Sequence, residues 1–234
     1  IAETVERIFS PHVTTPEAPE VQRYLSIMKS AGLTHAVIEA TSHGLAQHRV
    51  TGCEFDIAVL TNITHEHLDA HGTFSAYRDA KASLFTGLAQ RPPKPHGLEP
   101  LAVLNRDDDS YAYLSSRVPV RQAAYSIRSR ADVWASEIRH TADGLHFIAH
   151  GEGFEVPVEC PVMGVFNVSN CLAAIAATVV GLGSTRRPLL KESGGCPGCR
   201  AGWSASRWAS PLSPSSTLPI HQTLSGRLCL QSAR

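Results

Sequence analysis

A carboxylate, an imidazole and an amine are the groups of this sequence whose types and spacing are best suited to chemistry. They belong to Glu39, His67 and Lys81, which lie 28 and 14 positions apart. A carboxylate and an imidazole can together bind a divalent cation. Polar loops that only cap helices contain the same residue types, so the pattern alone leaves both interpretations open.

The histidines around His67 bear on the identity of such a cation. His65, His67 and His71 lie close together in the sequence, which first suggests zinc. No cysteine accompanies them, and Glu66 and Asp69 are interleaved with them. A hard cation beside a phosphate group is therefore at least as good an interpretation.

Two short apolar segments must position these residues. Segments 35–40 (HAVIEA) and 55–61 (FDIAVLT) are short, branched and nearly uncharged, which is typical of buried strands in a parallel sheet. Each leads into a segment rich in Ser, Thr, Asn, Glu and His. Because ligands of open α/β sheets bind at the C-terminal ends of the strands, we expect Glu39 and His67 to share one sheet edge.

The helix after the second polar loop carries Lys81. Thr73 is a good N-cap, and four apolar residues then repeat at helical spacing: Phe74, Tyr77, Leu84 and Leu88. Lys81 falls on the same inward-facing stripe, where burying an ammonium without a partner costs on the order of several kcal/mol. Either its side chain extends to the rim of the stripe, or it serves a site.

The rest of the first 183 residues continues the alternation of strands and helices. An apolar strand over 101–104 ends in a polar cluster over 105–109, and a helix is predicted over 110–117. This alternation predicts an α/β fold with a doubly wound, mostly parallel sheet. Alternating runs over 123–160 predict a small antiparallel β-subsheet, and 167–182 predicts an apolar helix.

Two further segments contain polar residues of interest. Thr14 and Thr15 precede a predicted helix that Gly32 ends, so they are either caps of that helix or hydroxyl donors to a ligand. A short helix is predicted over 46–52, with Gln47 and Arg49 in it. From the sequence alone, Arg49 has the features of an ordinary solvated surface charge.

Composition excludes several classes of protein. Lys plus Arg and Asp plus Glu each number 21, so there is no electrostatic case for nucleic acid or an anionic membrane. No apolar run approaches the ~18–20 residues of a membrane span. The charged start does not have the pattern of a signal peptide, and Cys53, Cys160 and Cys171 lie in apolar contexts as free core thiols do. These features predict a cytoplasmic protein in a reducing compartment.

The character of the sequence changes at about residue 184. Segment 184–234 contains one acidic residue, Glu192, and no Asp, Phe or Tyr, and it shows no sustained periodicity. We expect a domain over 1–183 and a disordered tail over 184–234. The spacing of Cys196 and Cys199 is weak evidence for a redox or zinc site.

Five separated motifs resemble the central domain of the Mur ligases. EATSHGLAQHRV, TNITHEHLDAHGT with AYRDAKASLF, TTPE, VLNRDDD and MGVFNVSNCLAAIA occur in the family's order and at similar spacing. The resemblance is greatest to the members that add a diamino acid, diaminopimelate or lysine, to UDP-N-acetylmuramoyl-L-alanyl-D-glutamate. It implies the family's central ATPase fold, which is similar to that of P-loop proteins, in a cytoplasmic and monomeric enzyme.

The resemblance also implies a reaction, ATP-dependent amide-bond formation through an acyl phosphate with Mg²⁺. By resemblance, Glu39 and His67 bind the magnesium ion, and Lys81 is carbamylated and meets the metal as an anion. A further group matches residues that contact the UDP-muramoyl dipeptide: Thr14, Thr15, Thr41, Gln47 and Arg49. Asn62 and Asn105 match positions near the nucleotide.

Departures from the family pattern bear on activity. The G-T-x-G-K-[ST] phosphate loop, the UDP-binding domain and the domain that holds the incoming amino acid have no match here, so we expect no turnover from this polypeptide alone. The alternatives are a non-catalytic remnant that binds nucleotide or metal, and a ligase of the folylpolyglutamate or cyanophycin synthetase type.

The tail suggests an origin for its unusual composition. In a shifted reading frame, 199–206 can encode LPGRMERI and 215–224 can encode VDFAHTPNA, which are two family motifs in the family's order. We therefore hypothesise that 184–234 is a frameshift product.

Overall fold

A computed structural model describes residues 14–64, 72–142 and 144–183, together with the backbone of 229–232. These residues divide into two compact units. The first contains 14–64, 72–102, 108–122 and 229–232, and the second contains 103–107, 123–142 and 144–183. His67 and most of the tail lie outside the described residues.

Helices and strands alternate along the chain. In order they are α1 (Ala18–Ser30), β1 (His35–Ile38), α2 (Ser42–Ala46), β2 (Ile57–Val59), α3 (Phe74–Gly87), a 3₁₀ turn (Leu88–Gln90), β3 (Leu101–Asn105), α4 (Tyr111–Ser115), β4 (Arg121–Ser126), β5 (Val133–Thr141), β6 (Gly144–Gly151), β7 (Phe154–Cys160), α5 (Phe166–Ile175), a π-helical segment (Ala176–Gly181) and β8 (Cys229–Ser232). None of the helices described is long and apolar enough to span a membrane.

The first unit is built on the strand order β1-β8-β2-β3, in which β3 crosses the boundary between the units. Every residue of β2 and β3 is buried, which explains why these strands read as continuous apolar runs rather than alternating ones. Helix α3 begins after Thr73, whose side chain accepts a hydrogen bond from the amide of Ala76. Thr73 is therefore the N-cap that the sequence predicted.

Strand β8 was not foreseen from the sequence. All four of its residues pair antiparallel with β1, and two of them also pair antiparallel with β2, so β8 lies between these two strands. A strand edge that is not paired offers a row of N–H and C=O groups, and β8 pairs with such groups on both sides. The remainder of 184–234 lies outside the described residues.

The second unit contains the predicted antiparallel subsheet. Strand β4 pairs parallel with β5, whereas β5, β6 and β7 form antiparallel pairs. Trp134 and His150 face each other across β5 and β6, and their rings stack with centroids 4.0 Å apart. Gly144, with φ of 133°, opens β6 so close to the Cys160 carbonyl that a side chain there would clash. Helix α5 packs on β5 and β6.

Several predicted boundaries were wrong. The helix expected over 46–52 is instead α2, which ends at Ala46, and the strands over 35–40 and 55–61 are shorter than their apolar runs. The apolar helix expected over 167–182 is α-helical only to Ile175 and continues as a π-helical segment. Apolar runs report burial, whereas the ends of elements depend on hydrogen bonds that the pattern does not contain.

Candidate functional site

Thr15 is the centre of a hydrogen-bonded cluster at the C-terminal end of β1. Its side chain is buried, donates to the backbone carbonyl of Glu39 at 2.9 Å and accepts from the amide of Thr41 at 3.0 Å. The two threonine hydroxyls are 3.1 Å apart. Thr41 also caps α2 by accepting from the amide of Gly44 at 3.0 Å. The Glu39 loop is thus fixed to the segment that precedes α1.

The interpretation of Thr14 and Thr15 as caps of α1 was wrong. The N-cap residue is Glu17, which makes no capping side-chain hydrogen bond, and Pro19 lies in the first turn, where its missing N–H costs nothing. Thr14 is exposed. The Thr15 hydroxyl instead joins two loops distant in sequence, a role that only the tertiary structure reveals.

A tight turn after α2 determines the position of Arg49. Gln47 is the exposed C-cap of α2, and His48 adopts a left-handed conformation with φ of 57°. The amide of Arg49 then bonds to the Gly44 carbonyl at 2.8 Å, as in a Schellman turn. Glycine is the usual residue at the left-handed position, so His48 gave no sequence signal for a helix end.

The Arg49 guanidinium is held beside this cluster. One terminal nitrogen, Nη1, donates to the Thr15 carbonyl at 2.9 Å, and Nη2 lies 3.1 Å from the carboxylate of Glu17. The Arg49 side chain is 15% exposed, and its Nε is buried without a hydrogen-bond partner among the described residues. It is therefore a largely buried cation with a free donor, rather than a solvated surface charge.

Lys81 is buried rather than extended to the rim of α3. Only 2% of the residue is exposed, and its Nζ donates to the backbone carbonyl of Asn62 at 3.0 Å. The same nitrogen lies 4.3 Å from the centroid of the Tyr77 ring, within cation–π range. Both described partners are uncharged, so a buried amine without a charged partner among the described residues lies at the C-terminal end of β2. The side chain of Asn62 itself is exposed.

Asp108 is a site residue that sequence reasoning overlooked. Its carboxylate accepts from the amide of Ile63 at 2.6 Å and from the amide of Ser110 at 2.8 Å. Burial raises the pKa of Asp108, and the backbone hydrogen bonds oppose that shift. It ties the loop after β2 to the start of α4. Its position in the polar cluster 105–109 was the available signal.

Asn105 ends β3 in the second unit. It is buried, and its side-chain oxygen accepts from the amide of Asp107 at 3.0 Å. Asp107 in turn accepts from Ser126 and from the amide of Ile127. Asn105 therefore shapes the turn after β3.

The described residues do not form a cluster of metal-binding side chains. Among residues 14–64, 72–142 and 144–183, no group of three or more His, Cys, Asp or Glu side chains could hold a metal. Glu39 is a half-buried carboxylate after β1, and a carbamate on Lys81 would add a second anionic oxygen donor. Oxygen donors of this kind suit Mg²⁺. His67 lies outside the described residues.

Comparison with known proteins identifies relatives of this chain. A family model described as the Mur ligase middle domain matches residues 1–178. UDP-N-acetylmuramyl-tripeptide synthetase 2 of Oceanobacillus iheyensis is 39% identical over 188 residues, which are 80% of this chain and 37% of the relative. The UDP-N-acetylmuramoyl-L-alanyl-D-glutamate–2,6-diaminopimelate ligase of Geobacillus kaustophilus is 40% identical over 176 residues, 74% of this chain and 35% of the relative.

Among solved structures, a UDP-N-acetylmuramoyl-L-alanyl-D-glutamate–2,6-diaminopimelate ligase aligns with a TM-score of 0.53 and 34% identity. The alignment covers 62% of this chain and 29% of that one. It confirms the prediction of an α/β fold with a mostly parallel sheet and some antiparallel strands. The chain spans just over a third of the length of the curated relatives described above.

Proposed function

Because this chain belongs to the Mur ligase family, we propose that it is the nucleotide-binding middle portion of a peptidoglycan-precursor ligase. The reaction is ATP-dependent amide-bond formation between a diamino acid and UDP-N-acetylmuramoyl-L-alanyl-D-glutamate. The names of the relatives support the substrate, and the fold of the related ligase supports the class of enzyme. We expect a monomer that acts in the cytoplasm.

The observation that carries the proposal is the burial of Lys81. An amine with 2% exposure and only uncharged described partners is poorly stabilised as an ammonium ion. Addition of CO₂ to the neutral amine, with loss of one proton, forms a carbamate. The side chain then carries a negative charge and two oxygen donors.

In this proposal, the remaining residues bind the metal ion and the nucleotide. Glu39, His67 and the carbamate of Lys81 would hold Mg²⁺, which neutralises negative charge on the phosphates of ATP. The substrate carboxylate would attack the γ-phosphoryl group of ATP and release ADP. The amine of the diamino acid would then attack the acyl phosphate, lose a proton and expel phosphate. In this proposal, Asn62 and Asn105 lie near the nucleotide.

The cluster around Thr15 would bind the UDP-muramoyl dipeptide. Arg49 presents a planar guanidinium whose Nη2 lies 3.1 Å from the exposed carboxylate of Glu17, and such a group suits a carboxylate or phosphate of the substrate. Thr41 and Thr15 hold the loop that carries Glu39. Thr14 and Gln47 are exposed and available to the same ligand.

Carbon-13-labelled CO₂ provides a test that does not depend on turnover. We expect a carbamate signal in the NMR spectrum of the chain, lost in K81M and retained in K29M, which removes an exposed lysine of α1. A spectrum in which K81M keeps the signal would contradict the assignment to Lys81.

Ligation is tested with the complete ligase, meaning the gene product together with any domains encoded beside this chain. K81M should reduce formation of the tripeptide product by at least about 10²-fold, because positioning of the phosphoryl group depends on charge at this point. K29M should leave it unchanged. A K81M enzyme as active as the unmodified enzyme would refute the role of Lys81.

A further inference from the structure

Three polar side chains on the antiparallel subsheet form a chain of hydroxyl, imidazole and carboxylate. Ser136 lies in β5, His150 in β6 and Glu155 in β7, all within the second unit. The Oγ atom of Ser136 lies 2.7 Å from Nε2 of His150, and Nδ1 of His150 lies 3.3 Å from the carboxylate of Glu155. The proposed ligase reaction uses none of these residues, so it does not explain their arrangement.

The pleat of the strands places these three side chains on the face of the subsheet that solvent reaches. Trp134, His150 and Glu155 occupy paired positions across the three strands, and Ser136 follows Trp134 by two residues. All four side chains therefore share one face. Ala135 points to the other face and is buried, whereas Ser136 is partly exposed. A small molecule in solution can thus approach the Ser136 hydroxyl.

The neighbours of His150 fix the tautomer and the orientation of its ring. A carboxylate only accepts hydrogen bonds, so Glu155 favours the tautomer with the proton on Nδ1. Nε2 is then the acceptor for the Ser136 hydroxyl. The Trp134 ring stacks on the imidazole with centroids 4.0 Å apart and planes inclined by 11°, and the His150 side chain is 16% exposed. The imidazole is therefore a base that is held toward a hydroxyl and oriented by a carboxylate.

The backbone after Ser136 departs from a regular strand. Ser136 pairs with Ile148 and Arg139 pairs with His146, so two residues of β5 face a single residue of β6 in a bulge. Glu137, the first of the two, has φ of 53°, a left-handed conformation that residues other than glycine rarely adopt. Bulges and strained backbone of this kind redirect side chains and are common beside active sites. The bulge is a second feature of this position, independent of the hydrogen bonds.

We propose that Ser136, His150 and Glu155 are a catalytic triad that hydrolyses small carboxylic esters. The surface beside the hydroxyl is apolar, because Ile148 is paired with Ser136, and Pro157 with Ile148, on the same face. An ester with a short apolar acyl group suits such a surface. Pro157 and Glu155 are exposed, so the face is open to solvent and does not enclose a large substrate.

Hydrolysis proceeds in two steps that return the site to its starting state. In the first, Ser136 Oγ attacks the carbonyl carbon of the ester while His150 Nε2 takes the hydroxyl proton. The bond to the leaving oxygen breaks, and His150 gives the proton to that oxygen, which leaves as the alcohol. In the second, water attacks the acyl-serine with His150 as the base, the bond to Oγ breaks, and Oγ recovers a proton. One ester and one water give one carboxylic acid and one alcohol, and Glu155 stays ionised throughout.

A fluorophosphonate probe tests the nucleophile directly, because it forms a bond between phosphorus and an activated serine oxygen and releases fluoride. The 234-residue chain is incubated with the probe, digested and mapped by mass spectrometry. We expect the label on Ser136 and its loss in S136A. H150N should slow labelling of Ser136 by at least about 10²-fold, the contribution of a general base. E155Q, at a position that is 68% exposed and so tolerates the change, should slow it by at least about 10-fold.

Two variants at comparable positions serve as controls. His146 lies with its Nδ1 3.9 Å from the carboxylate of Glu159, but its partner in β5 is Arg139. H146N should therefore be labelled on Ser136 at the unmodified rate, as should S75A, which removes an exposed serine of α3. Absence of label on Ser136, labelling there no faster than on Ser75, or an unchanged rate in H150N or in E155Q would overturn the proposal.

The ester p-nitrophenyl acetate distinguishes hydrolysis from a single acylation. We expect an acetyl group on Ser136 after an acid quench, and its disappearance once the ester is exhausted. An acetyl group that persists on Ser136 would overturn the hydrolytic role. Neither readout involves ATP or the muramoyl substrate, so the outcome is independent of the proposed ligase function.

Discussion

Lys81 and Arg49 are two largely buried basic side chains of the first unit, and the fold accommodates them differently. Lys81 has a carbonyl and a ring face as described partners, whereas Arg49 has the Thr15 carbonyl and the carboxylate of Glu17. Glu17 is 61% exposed, so its ion pair contributes about 0–1 kcal/mol. Under the proposed function, an anionic substrate group would therefore replace Glu17 at Arg49 at little cost.

At the scale of a single side chain, we expect the Thr15 hydroxyl to contribute to the free energy of unfolding. T15V leaves the Thr41 amide without its acceptor in a buried place, and we expect the free energy of unfolding to fall by about 1–3 kcal/mol. Urea denaturation measures this change. T15S keeps the hydroxyl and serves as the matched control. Equal stability of T15V and T15S would contradict the importance of these hydrogen bonds.

At the scale of elements, the packing of α2 depends on the absence of a side chain at Gly44. A Cβ there would lie 2.9 Å from the Thr15 Cβ, which real structures avoid. G44A should therefore destabilise the protein by about 1–3 kcal/mol, as overpacking does. Thermal unfolding, followed by circular dichroism, is a sufficient measurement.

Gly87 offers a control for that substitution. It ends α3 with ordinary helical angles, φ of −64° and ψ of −24°, and a Cβ there would contact nothing within 4 Å. G87A should be neutral or should stabilise the protein by up to about 1 kcal/mol. If G44A behaved like G87A, the contact between Thr15 and Gly44 would not constrain the loop.

Strand β1 begins with a histidine whose titration links stability to pH. Burial lowers the pKa of His35 below 6.5; Asp56 opposes this shift, and His96 adds to it. Below pH 6.5 the unfolded chain binds a proton that the folded chain resists, so this contribution to stability is full above pH 6.5 and is lost as the pH falls.

H35N removes that titration and should make the free energy of unfolding fall less steeply between about pH 6.5 and about pH 5. Urea unfolding at several pH values gives the two slopes. H140N, at an exposed position in β5, is the matched control. Identical slopes for H35N and the unmodified chain would show that His35 titrates normally.

At the scale of the whole molecule, the proposal distinguishes this chain from a complete ligase. The chain spans just over a third of the curated relatives described above, and its match is to their middle domain. We expect the 234-residue polypeptide alone to give no tripeptide product from ATP, the UDP-muramoyl dipeptide and diaminopimelate. Product detected by mass spectrometry, and lost in K81M, would contradict this expectation.

The origin of 184–234 is a separate question at the same scale. We propose that a shifted reading frame produced this segment, and the nucleotide sequence tests it directly. Codons that yield LPGRMERI and VDFAHTPNA in the shifted frame would support the proposal. Codons that cannot yield them would end it.

The sequence by itself determined the class of the fold and the face of α3 on which Lys81 lies, whereas its burial came from the structure. Continuous apolar runs predicted β2 and β3 as buried strands, and the helical spacing of apolar residues placed Lys81 on the inward stripe of α3. Both inferences use periodicity, which is a local property of the chain. The motifs around Glu39 and Lys81 likewise pointed to the family that the comparisons established.

Only the tertiary structure decided which polar groups meet. Thr15 bonds to Glu39 and Thr41 across more than twenty residues, and Asp108 reaches Ile63. No periodicity encodes such pairs, because they depend on how loops from different strands converge. The antiparallel insertion of β8 is of the same kind, since strand pairing between distant segments is fixed by available edges rather than by local sequence.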